Sequence, residues 1–197
     1  QTMAGVSGNL TNFANLVVNN TFPSGSVALQ SNTALRINSN LTLTSSTLND
    51  GGNVVTVLGN IYNSATHTGT GRIVLGGAVV QKISGNGTGK FGNLYLNSTK
   101  DVTMTCTTEI TGVLTFQSKD IDIGENLLIL SSTSASSLTG YSSTSFIRTN
   151  GLISDGGVRK SYPSGPLSFT FPVGCLAKYT RAVINVTANS AEGTITV

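Results

Sequence analysis

Phe91-Gly92-Asn93-Leu94-Tyr95-Leu96-Asn97 repeats, class for class, the earlier stretch Phe13-Ala14-Asn15-Leu16-Val17-Val18-Asn19. The echo continues downstream. Asn40-Leu41-Thr42-Leu43 returns as Val113-Leu114-Thr115-Phe116. Leu48 with Asn53-Val54-Val55-Thr56-Val57-Leu58 returns as Ile121 with Asn126-Leu127-Leu128-Ile129-Leu130. The offset is roughly 73 to 78 residues throughout, the signature of a repeat architecture. Each copy is a string of short β-type runs separated by Gly, Asn, Ser and Thr. Many short strands in a repeat point to a stacked solenoid, in which each unit buries its apolar side against the next.

Composition agrees. Of 197 residues, 38% are hydrophobic and only 10% charged. Gly, Ser, Thr and Asn make up roughly half of the chain, far above ordinary usage. Disorder would bring high charge and few β-branched residues. Here charge is scarce, and Val, Ile, Leu and Thr recur in alternating runs. No apolar pattern holds a helical period, so the chain reads as all-β. Strand candidates include Leu16–Val18, Val27–Leu29, Leu35–Ile37, Leu41–Leu43, Val54–Leu58, Ile73–Leu75, Val79–Ile83, Leu94–Leu96, Val102–Met104, Ile121–Ile123 and Leu127–Leu130. Asp50-Gly51 and Asn86-Gly87 are not flanked by the long strands that a hairpin needs. A right-handed parallel β-helix fits better over residues 1–155, with the ~75-residue duplication filling three or four coils.

Past Gly156-Gly157 the runs lengthen, and three of the four prolines lie there. Residues 156–197 read as hairpin-connected strands of a β-sandwich-like segment. Val197 falls inside a strand pattern, which predicts that this segment continues beyond it. Gln1 in place of an initiator Met reads as a processed N-terminus or as an arbitrary boundary.

Net charge is +3 and the pI about 9.0. The eleven basic residues form no cluster and do not interleave with aromatics, which argues against nucleic acid. No run approaches the ~18 apolar residues of a membrane span.

The segment Val80-Gln81-Lys82-Ile83-Ser84-Gly85-Asn86-Gly87-Thr88-Gly89-Lys90-Phe91-Gly92-Asn93-Leu94-Tyr95-Leu96-Asn97 resembles a recurrent segment of large secreted surface proteins of the Bacteroidota. So does the Thr107 to Phe116 run, with Ile110, Gly112, Leu114 and Phe116 at its fixed positions. Phe146-Ile147-Arg148 with Gly151, and Phe171-Pro172-Val173-Gly174, are similar to the segments that follow it there. Those proteins include adhesin-like cargo of the type IX secretion system, some linked to gliding motility. The resemblance implies a β-helical stalk or tip, a sandwich after it, an extracellular, cell-surface location, and contact with secretion machinery or with other copies during assembly. It covers Gly59 to Val197 well and the first repeat more loosely. It brings no active-site residues with it, and no sorting domain is visible in these residues.

Chemistry-bearing residues are few. His67, the sole histidine, sits in Ala65-Thr66-His67-Thr68-Gly69 and reads as a residue of a polar surface loop. Asp120, Asp122 and Glu125 form the only acidic cluster. With Ile121 and Ile123 inward, Asp120 and Asp122 point outward together as a candidate calcium site, or as a solvated face beside Lys119. No catalytic residue and no other cofactor is indicated. Gly85-Asn86-Gly87-Thr88-Gly89-Lys90 lacks the Ser or Thr and the helix of a phosphate loop and reads as a corner. Cys106 and Cys175 read as inert thiols or, less simply, as one disulfide. The chain is expected to be a structural or adhesive surface protein, meeting glycans or other surface proteins through Ser, Thr and Asn. The alternative is a glycan-binding or polysaccharide-degrading β-helix.

Overall fold

The computed structural model describes residues 2–3, 10–22, 25–176 and 178–197, so Gln1 lies outside the described residues. No helix occurs among them. Three sheets run side by side, and successive strands visit them in rotation. Sheet II shows the plan most simply. Its seven strands are Thr11–Phe13, Leu35–Ile37, Val54–Val57, Arg72–Leu75, Leu94–Leu96, Leu114–Phe116 and Leu138–Thr139, each parallel to the next. Sheet I precedes it in every turn and sheet III follows it. The result is a parallel β-solenoid of seven turns, about 30 Å long at the ordinary strand spacing.

Alternation drives this stack. Each short strand turns one or two aliphatic side chains inward, and parallel register lays like on like. In sheet II, Leu35, Val55, Ile73, Leu94, Leu114 and Leu138 follow one another up the axis. All are at most 4% exposed and belong to one continuous core. Full burial of each such side chain contributes roughly 1.5–3 kcal/mol. In sheet III, Leu16, Leu41, Ile61, Ile83 and Met104 do the same. Corners are stitched by asparagines. Asn15 Oδ1 accepts the Asn40 N–H at 3.0 Å, Asn40 Oδ1 the Asn60 N–H at 2.8 Å, and Asn60 Oδ1 the Lys82 N–H at 2.9 Å. Much of the Asn content is therefore spent on backbone groups that the corners would otherwise leave unpaired.

The duplicated segments lie on one solenoid, and Leu16 and Leu94 are both buried, but they do not occupy equivalent faces. Leu16 lies in sheet III and Leu94 in sheet II. Leu41 lies in sheet III, and its counterpart Leu114 in sheet II. Leu48 lies in sheet I, and its counterpart Ile121 in sheet III. In each case the copy sits eleven strands on, which is three full turns and two strands. The repeated unit is the strand with its corner, and all three faces make the same demand of it.

The solenoid does not stop at residue 155. Gly157–Tyr162 pairs parallel with Leu127–Leu130, and Val173–Cys175 pairs parallel with Ile147–Thr149. The ladder needs only matching alternation, which Val158, Lys160 and Tyr162 supply. Between these strands, Leu167–Phe171 leaves sheet II and pairs antiparallel with Ala182–Val186. Gly193–Thr196 and Lys178–Tyr179 then lie antiparallel on the last strands of sheets I and III. Phe169 and Phe171 meet edge to face at 5.0 Å and join the same core as the coils. Residues 156–197 thus close the end of the rod and share its core. Phe146 is 3% exposed there, whereas Leu152 projects outward at 61%.

Candidate functional site

The corner between sheets I and II gathers the most chemistry. One inward column of sheet I runs Val27, Leu48 and His67, then Phe91, Ile110, Leu130 and Lys160. His67 is fully buried in the strand Thr66–Thr68, not in a surface loop. Sequence reasoning missed it because Thr-His-Thr has no aliphatic residue to reveal the alternation. Its Nε2 lies 3.0 Å from Asp50 Oδ2, and its Nδ1 accepts the Gly92 N–H at 3.2 Å. A ring nitrogen that accepts a backbone N–H carries no proton of its own, so Nε2–H donates to Asp50.

Asp50 is equally buried. Its Oδ1 accepts the N–H groups of Gly52 at 2.8 Å and Gly71 at 2.9 Å. Burial by itself pushes this carboxyl up. The hydrogen bonds from His67, Gly52 and Gly71, with the field of His67, outweigh it and hold Asp50 below its ordinary value. The pair joins three successive turns at one corner. Gly69 makes room for it: a Cβ there would lie 2.0 Å from Asp50 Oδ1, at a φ of +119°.

Directly outside this lock runs a groove of about 370 Å³, lined by Gly52, Val54, Thr70, Arg72, Tyr95 and Thr115 among others. It crosses four turns. The Arg72 guanidinium lies 5.2 Å from the centre of the Tyr95 ring, one turn further on. Tyr95 is fixed in turn by its hydroxyl, which donates to Gln117. Asn93 is occupied within the wall: its Nδ2 donates to Gly71 O at 2.8 Å, and its Oδ1 accepts the Val113 N–H at 2.9 Å. The Gly52 and Gly71 N–H groups point inward to Asp50. Recognition in the groove therefore falls to Arg72, Tyr95 and the threonine hydroxyls.

The acidic cluster lies elsewhere, on sheet III. Asp120 and Asp122 do face outward together, but they meet Arg148, which sits opposite Asp122 on the next turn. Arg148 donates from Nη2 to Asp122 Oδ2 at 2.9 Å and from Nη1 to Asp101 Oδ2 at 3.2 Å, with Asp120 Oδ2 at 3.6 Å. Asp120 Oδ1 also accepts the Phe146 N–H at 2.9 Å. Burial, together with the charge of Asp101, raises the Asp120 pKa despite Phe146 and Arg148. Burial works against charge on Arg148, yet Asp122 and Asp101 raise its pKa overall. Glu125 is exposed and stands apart from this network. Among the described residues, no three acidic, His or Cys side chains gather as a metal site. The signal that explains the cluster is Arg148, which is 26 positions from Asp122 in sequence and becomes its neighbour only through the coil.

Cys106 and Cys175 are both free. The Gly85–Gly89 stretch is a corner, with Lys90 paired to Glu109 at 3.0 Å. Set against family models, curated proteins and solved structures, the chain matches none.

Proposed function

We propose that this chain is a structural or adhesive module of a secreted, cell-surface protein, presenting an elongated polar β-solenoid to glycans or to other surface proteins. One observation carries the reading. The core takes most of the aliphatic side chains inward, and the faces of the coils present hydroxyls, amides and tyrosines repeated from turn to turn. In sheet II, Tyr95, Thr115 and Thr139 stand in one outward column. Such a surface offers many weak hydrogen bonds, which gain strength through avidity. Its rigidity keeps the ordering cost of binding low. The surface location, and export by the type IX route, rest on the resemblance of residues 80–97 and 107–116 to Bacteroidota surface proteins. The acids on which a glycan-degrading reading would draw, Asp101, Asp120 and Asp122, are engaged by Arg148.

Beads coated with the chain at increasing density test this reading. They should retain polysaccharide-coated surfaces or bacterial cells with a steep dependence on density, while the free chain competes weakly. Retention no greater than that of albumin-coated beads at the highest density would refute it.

A further inference from the structure

We infer that the sheet II groove is a binding site for an acidic sugar, with Arg72 receiving the carboxylate of a hexuronate unit whose ring packs against Tyr95. The inference deepens the adhesive reading and rests on it for the choice of ligand class.

Four observations lead there. First, the groove is a concave surface of about 370 Å³. This lies at the small end of the range for small-molecule sites, roughly 300–1,000 Å³. Second, Arg72 is exposed, and its guanidinium makes no hydrogen bond or ion pair among the described residues; its only contact of this kind is the Tyr95 ring. Arg148 shows the contrast, with three carboxylates around it. A guanidinium held over a ring keeps its planar fork free, and that fork matches a carboxylate with two parallel hydrogen bonds. Third, the walls are mixed. Val54, Tyr95 and Val113 offer apolar surface, while Thr70 offers a hydroxyl and Thr115 one that it shares with Thr139 at 3.1 Å. A pyranose has the same two characters, apolar C–H faces and a polar rim. A bare phosphate or a metal ion has no use for the apolar walls. Fourth, the site is built on rigid elements. Arg72 and Tyr95 belong to neighbouring strands in register, and the Asp50–His67 pair braces the corner behind them.

The buried Asp50 carboxylate lies behind the floor, and its charge opposes an incoming anion. Hydrogen bonds from His67, Gly52 and Gly71 stabilise that charge on the inner side of the floor. Arg72 stands on the solvent side of that floor and meets the ligand first.

The test uses the full chain labelled with 15N and titrated with tetramers of galacturonate and of mannuronate. Uncharged galactose tetramer and an aspartate-rich peptide serve as comparisons. At least one uronate tetramer should shift the amide signals of residues 70–72, 93–95 and 113–115. Affinity should fall at least tenfold in Arg72→Gln and at least threefold in Tyr95→Leu, and should weaken as salt rises. Arg36→Gln, on the same face but outside the groove, should bind like the parent. Binding of neither uronate, equal binding in Arg72→Gln, or equal affinity for the galactose tetramer would each overturn the proposal. Tighter binding of the peptide than of either uronate would assign the groove to protein instead and also overturn it. The two readings fail separately. Beads of Arg72→Gln that adhere as well as the parent sink the groove and leave adhesion standing. Parent beads that adhere to nothing, with the groove still binding uronate in solution, sink adhesion alone.

Discussion

Lys160 closes the inward column of sheet I, and its removal should change how stability responds to pH. The side chain is fully buried. Its ammonium donates to the carbonyl oxygens of Ser132 and Ser161 and lies 5.1 Å from the Phe169 ring and 6.0 Å from the Tyr162 ring. No carboxylate pairs with it among the described residues. Burial pushes its pKa down from 10.5 to about 8. The unfolded chain therefore binds more protons at this site than the folded chain between those values. Stability rises with pH across that window and is flat below it. Integrated from pH 7 to 9.5, the gain is about 2 kcal/mol. For a chain of this size it corresponds to a rise in melting temperature of about 4–8 °C. The scan stops at 9.5 because burial raises the Tyr162 pKa, and that shift removes stability as pH climbs above the ordinary tyrosine value. Lys160→Met keeps a flexible apolar stem and has no charge to titrate. Melting followed by circular dichroism at half-unit steps should show the rise in the parent and not in Lys160→Met. Parallel curves for the two proteins would refute the claim that burial governs this lysine.

Three further outcomes follow from the same structure. Asp50→Ala removes the acceptor of the buried His67 donor and of the part-buried Gly52 and Gly71 N–H groups, and should cost about 2 kcal/mol or more in denaturant unfolding. Asp50→Asn should cost less and should flatten the acid limb, because the Asp50 contribution is complete above its ordinary value of 3.8 and drains as pH falls through the lower folded value. Adding calcium or a chelator should leave the melting temperature of the parent unchanged, since the Asp101 and Asp122 oxygens that would ligate a cation already accept hydrogen bonds from Arg148. A rise with calcium in the parent would restore the metal site. A chain ending at Tyr162 should expose the apolar end around Phe146, Val158 and Tyr162, and should elute as aggregates in size-exclusion chromatography; a monomer of unchanged stability would show that the end needs no cover.

The fold was legible wherever a strand carried two inward aliphatics, as in Leu35–Ile37, Leu41 with Leu43, or Leu94–Leu96. It was hidden where only one residue faces in. Thr47–Asn49, Thr66–Thr68 and Lys90–Phe91 look like polar loops in sequence, yet they are strands of sheet I. His67 was misread for that reason. Val79 and Val80 erred the other way: two valines suggest a strand, but both are exposed at a corner, and the strand begins at Gln81. Gln81 itself is buried, and its side chain bonds to Val57 O, Gly59 O and Gly77 N, a role no local pattern announces. The groove was out of reach altogether, because Arg72 and Tyr95 meet only when one turn is laid on the next.

The eleven-strand spacing of the duplicated segments has a geometric consequence. A chain lengthened by copying that unit would carry each motif back one face with every copy, like a thread cut on a three-sided bolt. A third copying would return it to its starting side, eleven whole turns further along. Such a rod has neither front nor back. A motif carried on one side would come to be offered in every direction.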